Sequence, residues 1–238
     1  MKEILNIRNL NFAYGKQRIL ENVNLKINPG ECVGILGSNG SGKTTLINCI
    51  LGENNNYGCV ELFGKKYDGK DNEIKKIIGV VPDNEFVIDY LTMIEYLRFV
   101  GNVFQMSNTE MDAIIEKWSY KLKMENYYNK ALKNFSHGMK KKVQLIAALM
   151  HNPKLLIIDE PTNGLDIETI AELKGIIEAL KENGIAIIIS THILEFAEKV
   201  CDSVMILNQN KLSDKMKINT LDKNLEEVFI NYISGEKE

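Results

Sequence analysis

The chain has 238 residues, 45% of them hydrophobic and 26% charged, and a formal net charge of −3. This composition excludes a disordered chain and predicts a globular protein of roughly one or two domains with a sizeable core. The acidic balance argues against a dedicated nucleic-acid binder, which usually carries a basic surplus. One local basic run, Lys140-Lys141-Lys142, is interpreted as a solvated helix face.

Cysteine usage and hydropathy indicate the compartment. The cysteines form no C-x-x-C pair and lie in or beside apolar runs, which predicts buried free thiols in a reducing compartment. The N-terminus lacks the apolar stretch of a signal peptide, and no run approaches the roughly 18–20 apolar residues of a membrane span. We therefore expect a cytoplasmic protein that acts on a membrane only through a partner. The four cysteines are Cys32, Cys49, Cys59 and Cys201.

Short apolar or alternating segments dominate the first third of the chain and predict strands. The earliest of them are expected to form an N-terminal antiparallel β subdomain. A turn at Asn28-Pro29-Gly30 separates this subdomain from a fully apolar run that suits a buried strand. The predicted strands cover residues 4–7, 18–20, 23–27, 32–36, 59–64 and 79–81.

A glycine-rich loop at 37–44 lies between the strand 32–36 and a predicted helix at 45–51, and it fits G-x-x-x-x-G-K-[ST] at every fixed position. Backbone N–H groups of such a loop surround phosphate oxygens at a helix N-terminus. Lys43 would reach the β- and γ-phosphates, and Thr44 would bind Mg²⁺. An ordinary glycine turn is the alternative, which the correct flanks disfavour. The predicted phosphate-binding residues are Gly37, Ser38, Asn39, Gly40, Ser41, Gly42, Lys43, Thr44 and Thr45.

From about residue 89 the pattern becomes helical. The sequence Thr92-Met93-Ile94-Glu95 predicts a capping box at the start of one helix, and residues 109–112 open a second. A third helix is expected over about 140–150. Because no strand pattern occurs up to about residue 128, this part of the chain is predicted to be a helical insert.

Two adjacent acids follow the apolar run 155–158. A buried strand would deliver Asp159 and Glu160 at its carboxyl end, where α/β sheets bind their ligands. We assign Asp159 to Mg²⁺ and Glu160 to the general base that polarises the attacking water. The alternative is a strand that ends in two solvated acids. Asp166 is then expected to cap a helix that ends at Asn183-Gly184, before a strand at 185–189.

Strands that alternate with helices predict an α/β fold with a mainly parallel sheet. At this point the chain resembles the ATP-binding cassette ATPases, the motor subunits of ABC transporters, over nearly its whole length. Residues 37–44 match the Walker A loop of that phosphate-loop NTPase family, and residues 155–160 match its Walker B strand. Residues 161–166 resemble the D-loop that follows in the family.

The resemblance implies two further nucleotide contacts. Tyr14 lies where the family has an aromatic residue that stacks on adenine, and His192, in Ser190-Thr191-His192, matches the switch histidine that contacts the γ-phosphate. Each has a plainer alternative, because Tyr14 could be an ordinary strand-end aromatic and His192 a structural histidine.

The most specific marker is Phe135-Ser136-His137-Gly138-Met139, which occupies the place of the family's LSGGQ motif. It implies a second anion site, made by Ser136 and Gly138 at a helix N-terminus and offered to the γ-phosphate on another subunit. The implied assembly is a head-to-tail dimer around two ATP molecules. Ser136 could also serve as a helix N-cap, a role compatible with phosphate binding.

Three positions depart from the family pattern. His137 replaces a glycine and Met139 a glutamine of the LSGGQ motif, and Asp83 stands where the family usually has a glutamine that contacts Mg²⁺ and water. Asp83 is shorter and anionic. It stays a candidate Mg²⁺ contact beside Thr44 and Asp159, and we interpret it as acting through water and slowing turnover.

Two features are similar to the exporter subunits for drugs and antimicrobial peptides: the Ser-x-Gly-Met-Lys variant of the motif and a short C-terminal helix at 224–230. The apolar group Phe86-Val87-Ile88 and Tyr90-Leu91 lies where the family receives the coupling helix of the membrane subunit. Packing within the insert is the alternative for this group.

The resemblance implies one ABC ATPase domain over 1–220, with its core at 1–84 and 147–220 and the insert at about 85–146, followed by a tail at 221–238. The expected partners are a polytopic membrane subunit and a second copy or a paralogous ATPase, with no nucleic acid. ATP and Mg²⁺ are the expected cofactors. The competing hypotheses are a soluble cassette ATPase that acts on nucleic acid or another assembly, and a nucleotide switch without transport.

Overall fold

The computed structural model of the protein describes residues 3–54, 57–163, 165 and 167–235. The strands in chain order are β1 (Leu5–Tyr14), β2 (Gln17–Ile27), β3 (Cys32–Leu36), β4 (Tyr57–Leu62), β5 (Lys65–Lys66), β6 (Ile78–Val81), β7 (Leu155–Asp159), β8 (Ala186–Thr191), β9 (Ser203–Asn208), β10 (Lys211–Leu212) and β11 (Met216–Lys217). The α-helices are α1 (Lys43–Ile50), α2 (Asn72–Lys75), α3 (Met93–Val103), α4 (Asn108–Lys121), α5 (His137–Leu149), α6 (Ile167–Glu182), α7 (Leu194–Val200) and α8 (Leu225–Ser234).

The N-terminal strands form an antiparallel sheet in the order β2-β1-β4-β5. A tight turn at Gly15, which has a φ of +58°, joins β1 to β2. Residues such as Leu5, Leu10 and Leu20 are fully buried, and in the second half of β2 buried apolar residues alternate with exposed polar ones. The predicted antiparallel subdomain is therefore confirmed, although its first two strands are longer than the sequence pattern indicated.

The central sheet has the strand order β10-β9-β3-β8-β7-β6, and β11 pairs with β9. Strands β6, β7, β8, β3 and β9 pair in parallel, and β10 and β11 add antiparallel pairing at β9. The predicted mainly parallel sheet is confirmed. Parallel pairing places the carboxyl ends of β3, β7 and β8 at one edge, and this edge carries the loop at 37–44, the two acids and the Ser190-Thr191-His192 segment.

Two hydrophobic clusters lie on opposite faces of the central sheet. Leu155 and Ile157 of β7 pack with the antiparallel sheet, whereas Leu156 and Ile158 pack with the helices between β6 and β7. Successive residues of a strand point to opposite faces, so a fully apolar strand contributes to both clusters. The central sheet therefore connects the antiparallel subdomain to the helical segment.

The predicted helical insert is observed as α3, α4 and α5. Thr92 and Glu95 form the expected capping box of α3. The second helix starts earlier than predicted, because Ser107 and Glu110 form a capping box of their own and make Ser107 the N-cap. The third helix also starts earlier, at His137 with Ser136 as its N-cap.

The predicted end of α6 and the predicted start of α8 agree with the structure, α1 starts two residues earlier than predicted, and α2 and α7 were not predicted. The predicted cap Asp166 lies outside the described residues, and α6 ends before Gly184, which has a φ of +79°. The C-terminal helix α8 is confirmed, with the Asn224 side chain accepting a 2.8 Å hydrogen bond from the Glu227 N–H. The division of the chain at residues 84, 146 and 220 stays a prediction. No helix in the described ranges is long and apolar enough to cross a membrane.

The interpretation of the lysine run at 140–142 as a solvated face is wrong. Lys141 is only 4% exposed, because α5 packs between the central sheet and the segment 82–89. Lys140 forms ion pairs with Glu85 and Asp89 at 2.8 Å each. Each ammonium group of the run has oxygen partners inside the molecule.

The four cysteines are thiols that form no disulfide, as predicted, and three of them are buried. The Sγ atoms of Cys32 and Cys201 lie 3.9 Å apart. The hydrogen bond to Cys201 and burial raise the pKa of Cys32 well above its usual range. Burial raises the pKa of Cys49 to about 11. Both thiols are therefore protonated and unreactive at neutral pH.

Candidate functional site

The loop at 37–44 depends on glycine at three positions. Gly40 and Gly42 have φ angles of +79° and +108°, a region that residues with a Cβ rarely adopt. At Gly37 a Cβ would lie 2.4 Å from Ser41 Oγ and 2.8 Å from the Leu207 carbonyl oxygen. Ser41 Oγ is itself buried and has no hydrogen-bond partner within the described part of the chain. The tight glycine backbone and this Ser41 hydroxyl are both suited to binding an anion at this helix N-terminus.

Lys43 opens α1 and is 6% exposed. Its ammonium group donates hydrogen bonds to the carbonyl oxygens of Gly37 at 2.8 Å and Ser38 at 3.2 Å. It also forms an ion pair with Glu160 Oε1 at 3.1 Å. The carbonyl groups of the loop therefore bind the ammonium group of Lys43 and hold it next to the acids at the end of β7.

Thr44 and Asp159 form a set of hard oxygen donors. The Thr44 hydroxyl donates a 2.9 Å hydrogen bond to Asp159 Oδ2, and Ser190 Oγ donates to Asp159 Oδ1. Asp159 is only 4% exposed. Among the residues described, no group of three or more His, Cys, Asp or Glu side chains could hold a metal by itself. One hydroxyl and one carboxylate fit Mg²⁺, which keeps several waters and takes further oxygens from substrate phosphates.

Glu160 follows Asp159 and is 7% exposed. Its carboxylate bridges two partners, because Oε1 faces Lys43 and Oε2 lies 2.9 Å from His192 Nδ1. The backbone N–H of His192 also donates to Oε2 at 3.4 Å. The structure therefore brings together, at the start of α1 and the carboxyl ends of β7 and β8, five side chains that the sequence had assigned to one site: Lys43, Thr44, Asp159, Glu160 and His192.

Tyr14 lies at the end of β1 with a half-exposed ring, which packs edge-on against Phe12 with ring centroids 4.8 Å apart. The paired strand β2 passes beside the phosphate loop, because a Cβ on Gly42 would lie 3.0 Å from Ile19 Cγ2. Tyr14 is therefore an accessible aromatic side chain on a hairpin next to the loop. Ser38, Asn39 and Gly40 are exposed at the loop tip, and Thr45 is half-buried.

Ser136 and Gly138 lie at the start of α5, on the helical segment. The Ser136 hydroxyl accepts a hydrogen bond from the Met139 N–H at 3.3 Å and so acts as the N-cap, as the sequence allowed. His137, which replaces the family's glycine, pairs with Glu85. This departure ties the start of α5 to the segment that follows β6.

Asp83 lies in a cleft of about 700 Å³ that Thr44 and Asp159 also line. Its carboxylate accepts a 3.0 Å hydrogen bond from the Asn163 amide. The contact of Asn163 with Asp83 and that of the Ser190 hydroxyl with Asp159 were not predicted from sequence. Ser190 lies near the end of the apolar strand β8, a position that could have indicated it, whereas Asn163 lies four residues after β7.

The sheet, the glycine loop and the paired acids define a phosphate-loop nucleotide hydrolase of the α/β class. Residues 20–163, more than half of the chain, match the family described as ABC transporter. The chain belongs to this family, and it is the ATP-binding, ATP-hydrolysing subunit of an ABC transporter. The alternative of an ATPase acting on nucleic acid is not favoured.

Individual relatives agree over almost the full length. An uncharacterized ABC transporter ATP-binding protein of Methanocaldococcus jannaschii is 34% identical over 100% of this chain and 86% of its own length. The lantibiotic transport ATP-binding protein SrtF of Streptococcus pyogenes is 33% identical over 98% of this chain and 99% of its own. A solved ATP-binding subunit of an ABC transporter superposes with a TM-score of 0.89 at 29% identity, covering 96% of this chain and 98% of that one.

Proposed function

We propose that two copies of this chain, or one copy and a paralogous ATPase, close head to tail around two ATP molecules and thereby power export through a separate membrane subunit. The observation that carries the proposal is that two segments of a kind suited to bind anions lie on different elements: the glycine loop at 37–44 and the exposed helix start at Ser136. A phosphate that binds both at once would hold two chains together. The name of SrtF, a lantibiotic transport ATP-binding protein, supports transport, and a relative from Cupriavidus metallidurans, named Nod factor export ATP-binding protein I, supports export.

In this proposal the nucleotide contacts divide between the two chains. The loop N–H groups and Lys43 bind the phosphates, Tyr14 stacks on adenine, and Ser136 and Gly138 of the opposite chain bind the γ-phosphate. Thr44 and Asp159 would hold Mg²⁺, which would supply positive charge against the phosphate oxygens. A protein in this role would be cytoplasmic and would lie on the inner face of the membrane through its partner.

Hydrolysis requires a base beside the γ-phosphate. Glu160 is suited to this role because its buried carboxylate is oriented by His192 and can accept a proton from water. His192 would contact the γ-phosphate as well as hold Glu160. Product formation then weakens the bridge between the chains, and the dimer reopens.

Asp83 is proposed to slow this step. Its carboxylate adds negative charge to the cleft that Thr44 and Asp159 line, and the Asn163 amide holds it at 3.0 Å. We expect Asp83→Gln to raise the steady-state ATPase rate several-fold, because the change removes this charge and restores the longer amide. A phosphate-release assay at saturating ATP and Mg²⁺ measures the rate. A rate below that of the unchanged protein would contradict the proposal.

The membrane partner is proposed to dock on the apolar residues after β6. Within the group predicted from sequence, Val87 and Leu91 pack against the core, whereas the side chains of Phe86 and Tyr90 are 68% and 85% exposed. Phe86 also lines the cleft between the sheet and α3. An apolar surface of this kind is suited to a protein partner rather than to solvent.

Co-purification tests both the partner and its docking surface. We expect the tagged chain, co-expressed with a polytopic membrane protein from a neighbouring gene, to retain that protein in mild detergent. Phe86→Ala should weaken the association and uncouple transport while ATP binding is kept. Tyr120→Ala, a change at an aromatic residue of α4 that is 76% exposed, serves as the control. Recovery of nucleic acid in place of a membrane protein would contradict the proposal.

A further inference from the structure

Lys141 is a buried lysine whose partners are all backbone carbonyl groups. Its ammonium group donates to the carbonyl oxygens of Pro82 at 2.7 Å, Asp83 at 3.3 Å and Asp159 at 3.2 Å. An ammonium group has three protons, so each can be matched to an acceptor. Lys141 thus joins α5 to the segments that end β6 and β7.

The charge of this group is held by carbonyl dipoles rather than by a direct ion pair. Burial lowers the pKa of Lys141, and the carboxylates of Asp83, Asp159 and Glu160 act against that shift. Carbonyl oxygens are weaker partners than a carboxylate, and a buried lysine in such a place costs stability unless its geometry is needed. A structural core position would be filled at lower cost by methionine or leucine.

The Asp159 carbonyl belongs to the peptide bond that joins the two acids. Lys141 binds the oxygen of that peptide, and the Ser190 carbonyl accepts its N–H, which belongs to Glu160, at 3.0 Å. The peptide is therefore held at both ends. Glu160 has a φ of +47°, a sparsely populated conformation for a residue with a side chain. Such a conformation persists only where the surroundings fix it.

We propose that Lys141 is a positioning residue for ATP hydrolysis, which fixes the Asp159–Glu160 peptide and so aims the Glu160 carboxylate at the attacking water. The inference rests on the proposed role of Glu160 as the base. It also means that the helix which begins at Ser136 reaches back, within one chain, to the acids at the end of β7. This contact could not be predicted from sequence, because Lys141 belongs to the lysine run 140–142, which has the pattern of a solvated helix face.

The first test is Lys141→Met, which keeps the length and apolar stem but removes all three donors. We expect kcat for ATP to fall about 10- to 100-fold, since a small misplacement of a catalytic group has that effect, while KM changes less than about twofold. Lys141→Arg, which keeps donors and charge, should recover part of kcat. An unchanged kcat in Lys141→Met, with Glu160→Gln inactive, would overturn the inference and leave the role of Glu160 intact. Retained hydrolysis in Glu160→Gln would instead overturn the proposed base.

Lys142→Met is the matched control. Lys142 is the next residue of the same helix, and its ammonium group binds the Leu122 carbonyl and Glu172 on another side of α5. We expect this change to lower the melting temperature and to leave kcat within twofold. Equal losses of kcat in both variants would show that α5 is merely destabilised, and would overturn the inference. If Lys141→Met does not fold, Lys141→Leu, which also removes all three donors, carries the same comparison.

A second experiment distinguishes a role of Lys141 in positioning Glu160 from a role in maintaining the ATP-dependent dimer. In a Glu160→Gln background, Lys141→Met should cause no further loss of the residual rate, because the group it positions is already disabled. The ATP-dependent dimer of this double variant should form as it does in Glu160→Gln alone, as measured by light scattering. Loss of the dimer, or an additive loss of the ATPase rate, would mean that Lys141 only stabilises the structure of α5, and would overturn the inference.

Discussion

Glu160→Gln is expected to lower the ATPase rate by about 10²- to 10⁴-fold, the range over which general bases contribute, while ATP still binds. The amide keeps the size of the side chain and can still contact Lys43 and His192, but it cannot take a proton from water. ATP should therefore accumulate between two chains. Light scattering with ATP and Mg²⁺ should report a dimer, and a monomer under these conditions would contradict the proposed closure.

The control for this variant is Glu172→Gln. Glu172 is also partly buried and paired with lysines, with contacts to Lys123 at 2.9 Å and Lys142 at 3.2 Å, but it lies on α6 and not at the sheet edge. Loss of these ion pairs should affect stability only. An ATPase rate reduced as much as in Glu160→Gln would mean that the assay reports folding rather than chemistry.

Lys43→Met is expected to weaken ATP binding by about 10- to 100-fold, because hydrogen bonds to a charged group contribute about 1.5–3 kcal/mol each. The change also leaves Glu160 buried without its cation, and breaking a buried ion pair costs about 3–5 kcal/mol. Titration with a fluorescent ATP analogue measures the first effect, and thermal unfolding without nucleotide measures the second.

The double variant Lys43→Met/Glu160→Gln distinguishes these two effects. It should regain much of the lost thermal stability, since no uncompensated carboxylate remains, but it should regain no affinity for ATP. Lys154→Met, a change at an exposed lysine before β7, provides the baseline for both measurements. Recovery of ATP affinity in the double variant would contradict the assignment of Lys43 to the phosphates.

The parts of this protein that sequence predicted well are those determined by local pattern. The strand Cys32–Leu36 is predicted to the residue, because a fully apolar run between turn signals has few alternatives. The loop at 37–44 is recognisable because its glycines are required by backbone geometry. The sheet then brings Glu160 and His192 to that loop, as expected from parallel pairing of β3, β8 and β7.

The parts that sequence missed depend on contacts between distant segments. The burial of Lys141 follows from the packing of α5 against residues 82–83, which lie about sixty positions earlier in the chain. The Asn163 amide that holds Asp83 is eighty residues away. The start of α4 was misplaced for a different reason, since both Ser107 and Thr109 are good caps and only the Glu110 side chain decides between them.

In the proposed mechanism, the ion pair between Lys43 and Glu160 means that the γ-phosphate and the general base would compete for one ammonium group. While the ammonium group lies 3.1 Å from Glu160 Oε1, the carboxylate is occupied and is a poor acceptor for a proton from water. In that mechanism, a γ-phosphate that drew Lys43 away would release the Glu160 carboxylate. Binding of ATP would then itself free the general base, so that the base becomes available only when there is a bond to cleave.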